Sequence, residues 1–295
     1  MNRWHRDYGL EARMFMTMFM LAAVYLLFLY ALWIFGGVDT YSLIFIAGII
    51  LFIQFFFSDK LALWGVGGRI VSEQEEPQLH QMISKLCISA DLPKPKIAIV
   101  NSSVPNAFAT GRGSGSAVVA VTTSLMQRLN PAEIEAVLAH ELSHVKNRDM
   151  LVITIASFLS TAAFFIVRNM LFFGFGGRDR NRSAGAALLV WLISLVVWIL
   201  SFLLIRALSR YREFAADRGS AILTGHPMNI ASALMNISGT MRHVPSRDLK
   251  EVEGMNAFFI IPALSSGSFM NLFSTHPPME ERVRALEEME RVRGI

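Results

Sequence analysis

Two histidines and one glutamate of this 295-residue chain form the pattern H-E-x-x-H, at His140, Glu141 and His144. On a helix, side chains four residues apart share one face, so both imidazoles could bind one metal ion with the glutamate beside them. In zinc hydrolases with this pattern, the glutamate takes a proton from the attacking water. We therefore expect His140 and His144 to be metal ligands and Glu141 to be the catalytic base.

The residues before the motif carry the signals of a helix start. Asn130 is a favourable N-cap, Pro131 suits the first helical position, and Glu133 stands where the acid of a capping box belongs. The motif would then lie on a helix, as metal binding requires. A helix that carries two solvated histidines is the alternative interpretation.

Zinc needs a third protein ligand. Some zinc proteases have a third histidine six residues after the second one, but here that position is Met150. The third ligand must therefore come from another part of the chain. The best candidate is Glu213, because Asp217 follows it by one helical turn. Glu213 would bind the metal, and Asp217 would accept the ring N–H of a ligating histidine. An ordinary charged helix face would show the same spacing.

Several motifs in this order resemble a known family. The H-E-x-x-H helix, the later E-x-x-x-D pair, the apolar segments before and between them, and the upstream segment Asn106, Ala107, Phe108, Ala109, Thr110 and Gly111 resemble the HtpX-like membrane zinc metalloproteases. These are relatives of the CaaX prenyl endopeptidases, and the resemblance covers nearly the whole chain. It implies a gluzincin site with one Zn²⁺ per chain. It also implies an enzyme of protein quality control and stress response that cuts misfolded or damaged membrane proteins on the cytoplasmic side.

A string near the C-terminus, Ser274, Thr275, His276, Pro277 and Pro278, resembles the C-terminal motif of the same family. His276 could reach the zinc site and donate a hydrogen bond to the oxyanion that forms during peptide hydrolysis. A histidine that only precedes the last helix, without a catalytic role, is the alternative.

The composition places part of the chain in a lipid bilayer. The chain is 53% hydrophobic, and its mean hydropathy of +0.44 is too high for an ordinary soluble enzyme. The net charge is +4, with arginines beside apolar runs, which suits anionic lipid headgroups. No motif combines aromatic and basic residues as nucleic-acid binders do, so we expect no nucleic-acid partner. The single cysteine, Cys87, excludes an internal disulfide and a cysteine-based zinc site.

Four apolar segments are candidates for membrane spans, at about 14–35, 41–57, 150–167 and 184–205. The first two predict a transmembrane hairpin within residues 1–60, although the first alone could be a signal peptide. The last two predict a second hairpin within residues 150–206. His140, His144 and Glu213 have to meet at one metal, so the chain between them must cross the membrane an even number of times. Either both of these segments span the membrane or neither does. The loop between them carries Arg168, Arg178, Arg180 and Arg182, which leaves a hairpin that does not span as an alternative.

The distribution of basic residues predicts the orientation. Arg3, Arg6 and Arg13 precede the first span, Lys60 and Arg69 follow the second, and the turn between the spans has no Lys or Arg. By the positive-inside rule, both ends of this hairpin are cytoplasmic. We expect a multi-pass protein of the bacterial cytoplasmic (inner) membrane whose active site faces the cytoplasm.

A small sheet is predicted ahead of the H-E-x-x-H helix. The segment 77–90 has helical spacing, whereas 96–100 and 116–126 are rich in β-forming residues, and a Gly-rich bend at 111–115 joins the second of these to 106–110. In zincins an edge strand beside the active-site helix binds extended substrate through main-chain hydrogen bonds. The segment 106–110 is our candidate for that strand, and a structural hairpin is the alternative.

These expectations combine into a mainly α protein with a small β-sheet (α+β). Residues 61–149 and 207–295 would form the two halves of a zincin-type catalytic domain at the membrane surface. The partners would be polypeptide substrates, mostly membrane proteins, and the lipid bilayer, while the oligomeric state is not encoded in any of these patterns. Charged residues directly after His144 argue against a site in the middle of the membrane. A CaaX-type processing protease and a non-catalytic zinc-binding membrane protein stay open.

Overall fold

The structure is a computed structural model that describes residues 8–35, 63–149, 183–241 and 276–293, together with Ile49, Phe56, Ala163, Val167 and Val244. These residues fall into two compact units. The first unit contains the described residues within Phe57–Leu151 and Ser209–Ile295, and the second unit contains those within Asp7–Phe56 and Val152–Leu208. Apart from those single positions, the predicted spans 41–57 and 150–167 lie outside the described residues.

The elements follow one another along the chain as mostly helices with four short strands. They are α1 (Tyr8–Phe35), β1 (Arg69–Ile70), α2 (Pro77–Ala90), β2 (Lys96–Val100), β3 (Ala107–Thr110), β4 (Val118–Thr122), α3 (Thr123–Arg128), α4 (Pro131–Lys146), α5 (Ser183–Thr224), α6 (Pro227–Met241) and α7 (Met279–Arg293).

The four strands form one mixed sheet in the order β1-β2-β4-β3. Strand β2 runs parallel to β4, from Lys96 opposite Val118 to Val100 opposite Thr122. Strand β3 is antiparallel to β4 and lies at the end of the order. Within the described ranges, no other strand pairs with the outer edge of β3.

The prediction of β structure over 116–126 is wrong beyond Thr122, where the chain turns into α3. Thr122 keeps an extended backbone, with φ −82° and ψ 148°, and its hydroxyl accepts a hydrogen bond from the Leu125 N–H, so it is the N-cap of α3. Threonine is common both in strands and at N-caps, so the residue type alone does not show where the strand ends.

Helix α4, which carries the H-E-x-x-H motif, begins as predicted. The Asn130 side chain accepts hydrogen bonds of 3.0 Å from the N–H groups of Ala132 and Glu133, and Glu133 Oε2 accepts one from the Asn130 N–H at 3.0 Å. This is a complete capping box. The helix ends at Lys146, and Arg148 then adopts a left-handed backbone with φ +56°.

Helix α4 lies in the hydrophobic core of the first unit, where it packs against β3, α2 and α6. Polar contacts fix it from two sides. Ser220 of α5 donates a hydrogen bond of 2.6 Å to the carbonyl of Ala136. Ser232 and Asn236 of α6 each donate one of 2.6 Å to Glu133 Oε1. The H-E-x-x-H motif thus lies on a helix that is held by both apolar packing and polar contacts.

The second unit contains α1 and the N-terminal part of α5, both of which are long and apolar enough to cross a membrane. Leu21, Tyr25 and Phe28 of α1 form its core with residues of α5, while other large apolar side chains of α1, such as Leu26 and Leu27, are 68% exposed. Helix α5 continues without a break to Thr224, so the predicted span 184–205 and the Glu213/Asp217 pair belong to one helix.

Candidate metal centre

The first unit brings together the three predicted metal ligands, His140 and His144 of α4 and Glu213 of α5. The two Nε2 atoms lie 3.2 Å apart. Glu213 Oε2 lies 3.5 Å from His140 Nε2, and Glu213 Oε1 lies 3.6 Å from His144 Nε2. Two imidazoles and one carboxylate therefore point at a common centre.

This arrangement fits a zinc ion. Ligand atoms about 2.0–2.1 Å from zinc at tetrahedral angles are roughly 3.3 Å from one another. The separations of 3.2, 3.5 and 3.6 Å are close to that value. Two histidines and one glutamate form a donor set of catalytic zinc sites, which keep the fourth position open for water or substrate.

Glu141 lies in the same buried region, with only 4% of its surface exposed. Burial raises the pKa of its carboxyl group, although the nearby His140 and His144 act in the opposite direction. The backbone N–H of Ala109 donates a hydrogen bond to this carboxylate. Glu141 is thereby held between the predicted metal ligands and strand β3, which is the location a general base requires.

Behind His140 lies the carboxylate of Asp217, whose Oδ1 is 2.9 Å from His140 Nδ1. Burial alone would lower the pKa of His140, but the hydrogen bonds and charges of Asp217 and Glu213 outweigh it and raise the pKa to about 10. The position agrees with the role we predicted for Asp217, and that role stays a prediction.

The structure also brings His276 to this centre. It lies just before α7, is 5% exposed, and its Nδ1 is 3.3 Å from Glu213 Oε2. The contact places His276 next to a predicted ligand. Its role in stabilising an oxyanion stays a prediction.

The predicted substrate strand, Asn106 to Thr110, largely coincides with β3. Asn106 precedes the strand and is paired with Thr122 through its backbone, donating to the Thr122 hydroxyl at 2.8 Å and accepting from the Thr122 N–H at 2.9 Å. The other four residues form the edge of the sheet beside Glu141. A cleft opens between the end of β3 and the end of α4, lined by Thr110, Gly111, Arg112, Ala117, His144 and Arg148.

Sequence reasoning missed three charged residues of this centre. Asp149 Oδ2 lies 2.7 Å from His144 Nδ1, and Arg212 Nε lies 3.0 Å from Asp149 Oδ1. Arg282 of α7 donates two hydrogen bonds of 2.7 Å to Asp217 and lies 3.3 Å from Glu213 Oε2. Arg282 could have been found from its position one turn before Leu286 on the apolar face of α7, where a solvated arginine is not expected.

Comparisons with known proteins identify the family of the chain. The family model described as Peptidase family M48 matches residues 73–290. Protease HtpX homolog 2 of Methanosarcina acetivorans is 64% identical over 290 residues, which are 98% of this chain and 98% of the relative. Protease HtpX homolog of Moorella thermoacetica is 58% identical over 287 residues, 96% of this chain and 95% of the relative.

Among solved structures, the crystal structure of S. mikatae Ste24p is similar with a TM-score of 0.56 and 19% sequence identity. The match covers 95% of this chain and 66% of the Ste24p chain, and at this identity it supports the fold alone. The family match and the near full-length relatives show the function class. The chain belongs to peptidase family M48 and is an HtpX-like membrane metalloprotease.

Proposed function

We propose that this metalloprotease is a zinc-dependent endopeptidase that cleaves misfolded or damaged membrane proteins on the cytoplasmic side of the cytoplasmic membrane. The observation that carries the proposal is the convergence of His140, His144 and Glu213 at zinc-like separations, with the buried carboxylate of Glu141 beside them. A site that bound zinc only for structure would close the fourth position with a protein ligand and would have no use for this carboxylate.

In the proposed mechanism, His140, His144 and Glu213 hold the ion. When bound, the ion supplies Lewis-acid chemistry, polarising the scissile carbonyl and making water more acidic. Glu141 accepts the proton of the attacking water and passes it to the leaving amine. The pKa of Glu141, raised by burial, brings its carboxyl group closer to the pH range in which such proton transfer is efficient.

Two further elements would handle the substrate. His276, 3.3 Å from Glu213, would donate a hydrogen bond to the oxyanion. The outer edge of β3 would pair with an extended peptide through main-chain hydrogen bonds. Recognition through the main chain makes little demand on side-chain identity but requires an extended segment. That requirement favours unfolded or locally unfolded polypeptides, as expected for a quality-control protease.

For the membrane topology we propose four spans, at about 14–35, 41–57, 150–167 and 184–205, with the catalytic domain formed by 61–149 and 207–295. The length and apolar character of α1 and α5 support two of these spans, as does the division of the described residues at nearly the same positions. The arginines before the first span support a cytoplasmic catalytic domain.

The test compares the detergent-solubilised wild type with Glu141→Gln and Glu213→Ala. We expect one zinc per wild-type chain and cleavage of an unfolded protein, normal zinc content without cleavage in Glu141→Gln, and weakened zinc binding in Glu213→Ala. A Glu213→Ala variant that kept full zinc affinity and activity would refute the proposed ligand set.

A second assay, with the protein in liposomes, tests the proposed class of substrate. We expect a destabilised membrane protein to be cut and its stable parent to be spared. Cleavage of a prenylated CaaX peptide alone would instead identify a processing protease.

A further inference from the structure

Asp149 lies immediately beyond the H-E-x-x-H helix and is fully buried, with 0% of its surface exposed. Each of its carboxylate oxygens has a different partner. His144 Nδ1–H donates a hydrogen bond of 2.7 Å to Oδ2, and Arg212 Nε lies 3.0 Å from Oδ1. Both oxygens therefore face a nitrogen atom of a neighbouring side chain inside the protein.

The backbone conformation between the two residues makes this contact possible. His144 and Asp149 are five positions apart, and a continued helix would not place them on one face. The left-handed backbone of Arg148, with φ +56°, ends the helix and turns the chain so that the Asp149 side chain returns to His144. A non-glycine residue in this conformation is uncommon and here coincides with the contact to a predicted ligand.

Arg212 connects this carboxylate to the other ligand-bearing helix. It directly precedes Glu213 on α5, and only 7% of its surface is exposed. The ion pair therefore joins the end of α4, beyond His144, to the turn of α5 that carries the third ligand. The same construction is seen on the other histidine, where Asp217 contacts His140 and is held by Arg282.

We propose that Asp149 is a positioning residue for the metal ligand His144, and that Arg212 holds the Asp149 carboxylate in place. By accepting the Nδ1–H, Asp149 fixes the tautomer in which the Nε2 lone pair faces the metal, and it makes that nitrogen a better donor. This inference rests on the metal site of the proposed function, because positioning has a meaning only if His144 is a ligand.

The test measures the zinc dissociation constant of the full chain in detergent by competition with a chelator. We expect D149N to weaken zinc binding about 10- to 100-fold, as losses of such carboxylates do. The introduced amide can accept the His144 N–H only by turning its own N–H₂ towards Arg212, where two donors would meet. In D149N/R212Q the side-chain oxygen of the introduced glutamine can accept a hydrogen bond from the asparagine N–H₂, so part of the lost zinc affinity should return.

The control is E133Q. Glu133 is also a buried carboxylate of α4, with partners on α6, but it stands at the opposite end of the helix. E133Q should lower thermal stability and leave the zinc dissociation constant within about twofold of wild type, since no ligand depends on it. If E133Q weakened zinc binding as much as D149N, or if D149N bound zinc like wild type, the inference would be overturned.

The proposed zinc site and the positioning role of Asp149 can fail independently. A wild-type chain without zinc would contradict the proposed function itself. A wild-type chain with one zinc, and a D149N variant of unchanged affinity, would contradict only the positioning role of Asp149.

Discussion

Arg282 donates two hydrogen bonds of 2.7 Å to the carboxylate of Asp217, which lies 65 residues earlier in the chain. Both side chains are buried, with 1% and 3% of their surfaces exposed. Because Asp217 also contacts His140, this pair connects the last helix, α7, to the metal centre. The geometry makes Arg282 a structural support of the centre, and its removal should affect folding before chemistry.

We expect Arg282→Met to destabilise the protein strongly. Removing one partner of a buried ion pair leaves the other charge uncompensated, which typically costs about 3–5 kcal/mol. The measurement is urea-induced unfolding of the metal-free chain in detergent, so that metal binding does not contribute. Arg284→Ala is the matched control, since Arg284 is exposed on the same helix. Equal stability of the two variants would contradict the support role.

The raised pKa of His140 predicts that metal binding depends on pH. In the metal-free protein the pKa is about 10, so at neutral pH the imidazole is protonated and must lose its proton to bind a metal. The apparent zinc affinity should therefore rise by about tenfold per pH unit as pH increases towards 10. Calorimetric titrations in buffers of different ionisation enthalpy between pH 7 and 9 should detect the released proton. Zinc affinity that did not change over this range would contradict the prediction.

The same shift affects the stability of the metal-free chain. The folded-state pKa of His140 lies above the ordinary value of 6.5, so the imidazolium contributes stability that is fully present below pH 6.5 and is lost as pH rises towards 10. Zinc should remove this dependence between pH 6.5 and 10, because a zinc-bound imidazole has already lost the proton in the folded chain. We expect the melting temperature of the metal-free chain to fall over that interval, and that of the zinc-loaded chain to be less sensitive to alkali.

His276 should affect turnover and not zinc content. If it stabilises the oxyanion, His276→Ala should lower kcat by about 10²- to 10³-fold, as removal of one such donor does. Zinc stoichiometry should be unchanged, because His276 is not one of the three ligands. His226→Ala is the control, since His226 is exposed and lies at the start of α6. A His276→Ala variant with normal kcat would show that His276 only packs beside Glu213 and does not stabilise the oxyanion.

Local sequence signals were sufficient to select the three candidate ligands that the structure brings together. The capping box at Asn130 and Glu133 predicts the start of α4 because its partners are three residues apart, and helical geometry then fixes His140 and His144 on one face. The E-x-x-x-D spacing points to Glu213 for the same reason. These inferences depend on contacts within one or two turns.

The missed residues depend on contacts that no local pattern contains. Asp149 reaches His144 only because the helix breaks at Arg148 with a positive φ, an uncommon conformation for arginine. Arg282 is defined by a partner 65 positions away. The sequence pattern presents Asp149 as an ordinary surface charge. The apolar face of α7 marks the position of Arg282 as buried, but only tertiary packing identifies its partner.

Gly111 is required where it stands, directly after the predicted substrate strand β3. Its φ is +136°, and a Cβ atom there would lie 2.7 Å from the carbonyl oxygen of Ser116 and 2.9 Å from Cα of Ala117. Both obstacles are backbone and cannot move without shifting the chain that leads into β4. Gly111→Ala should therefore destabilise the protein by more than about 1 kcal/mol.

Gly113 in the same bend is the matched control. Its φ is 173°, which any residue adopts, and a Cβ there would meet no atom within 4 Å. Gly113→Ala should be neutral or stabilise by up to about 1 kcal/mol, since alanine reduces the entropy of the unfolded chain. Both variants are compared by unfolding and by kcat/KM on an unfolded protein substrate. If β3 binds substrate through its edge, kcat/KM should fall in Gly111→Ala and not in Gly113→Ala. If Gly111→Ala lost stability but kept its kcat/KM, the conformation of the bend would matter for folding and not for substrate binding.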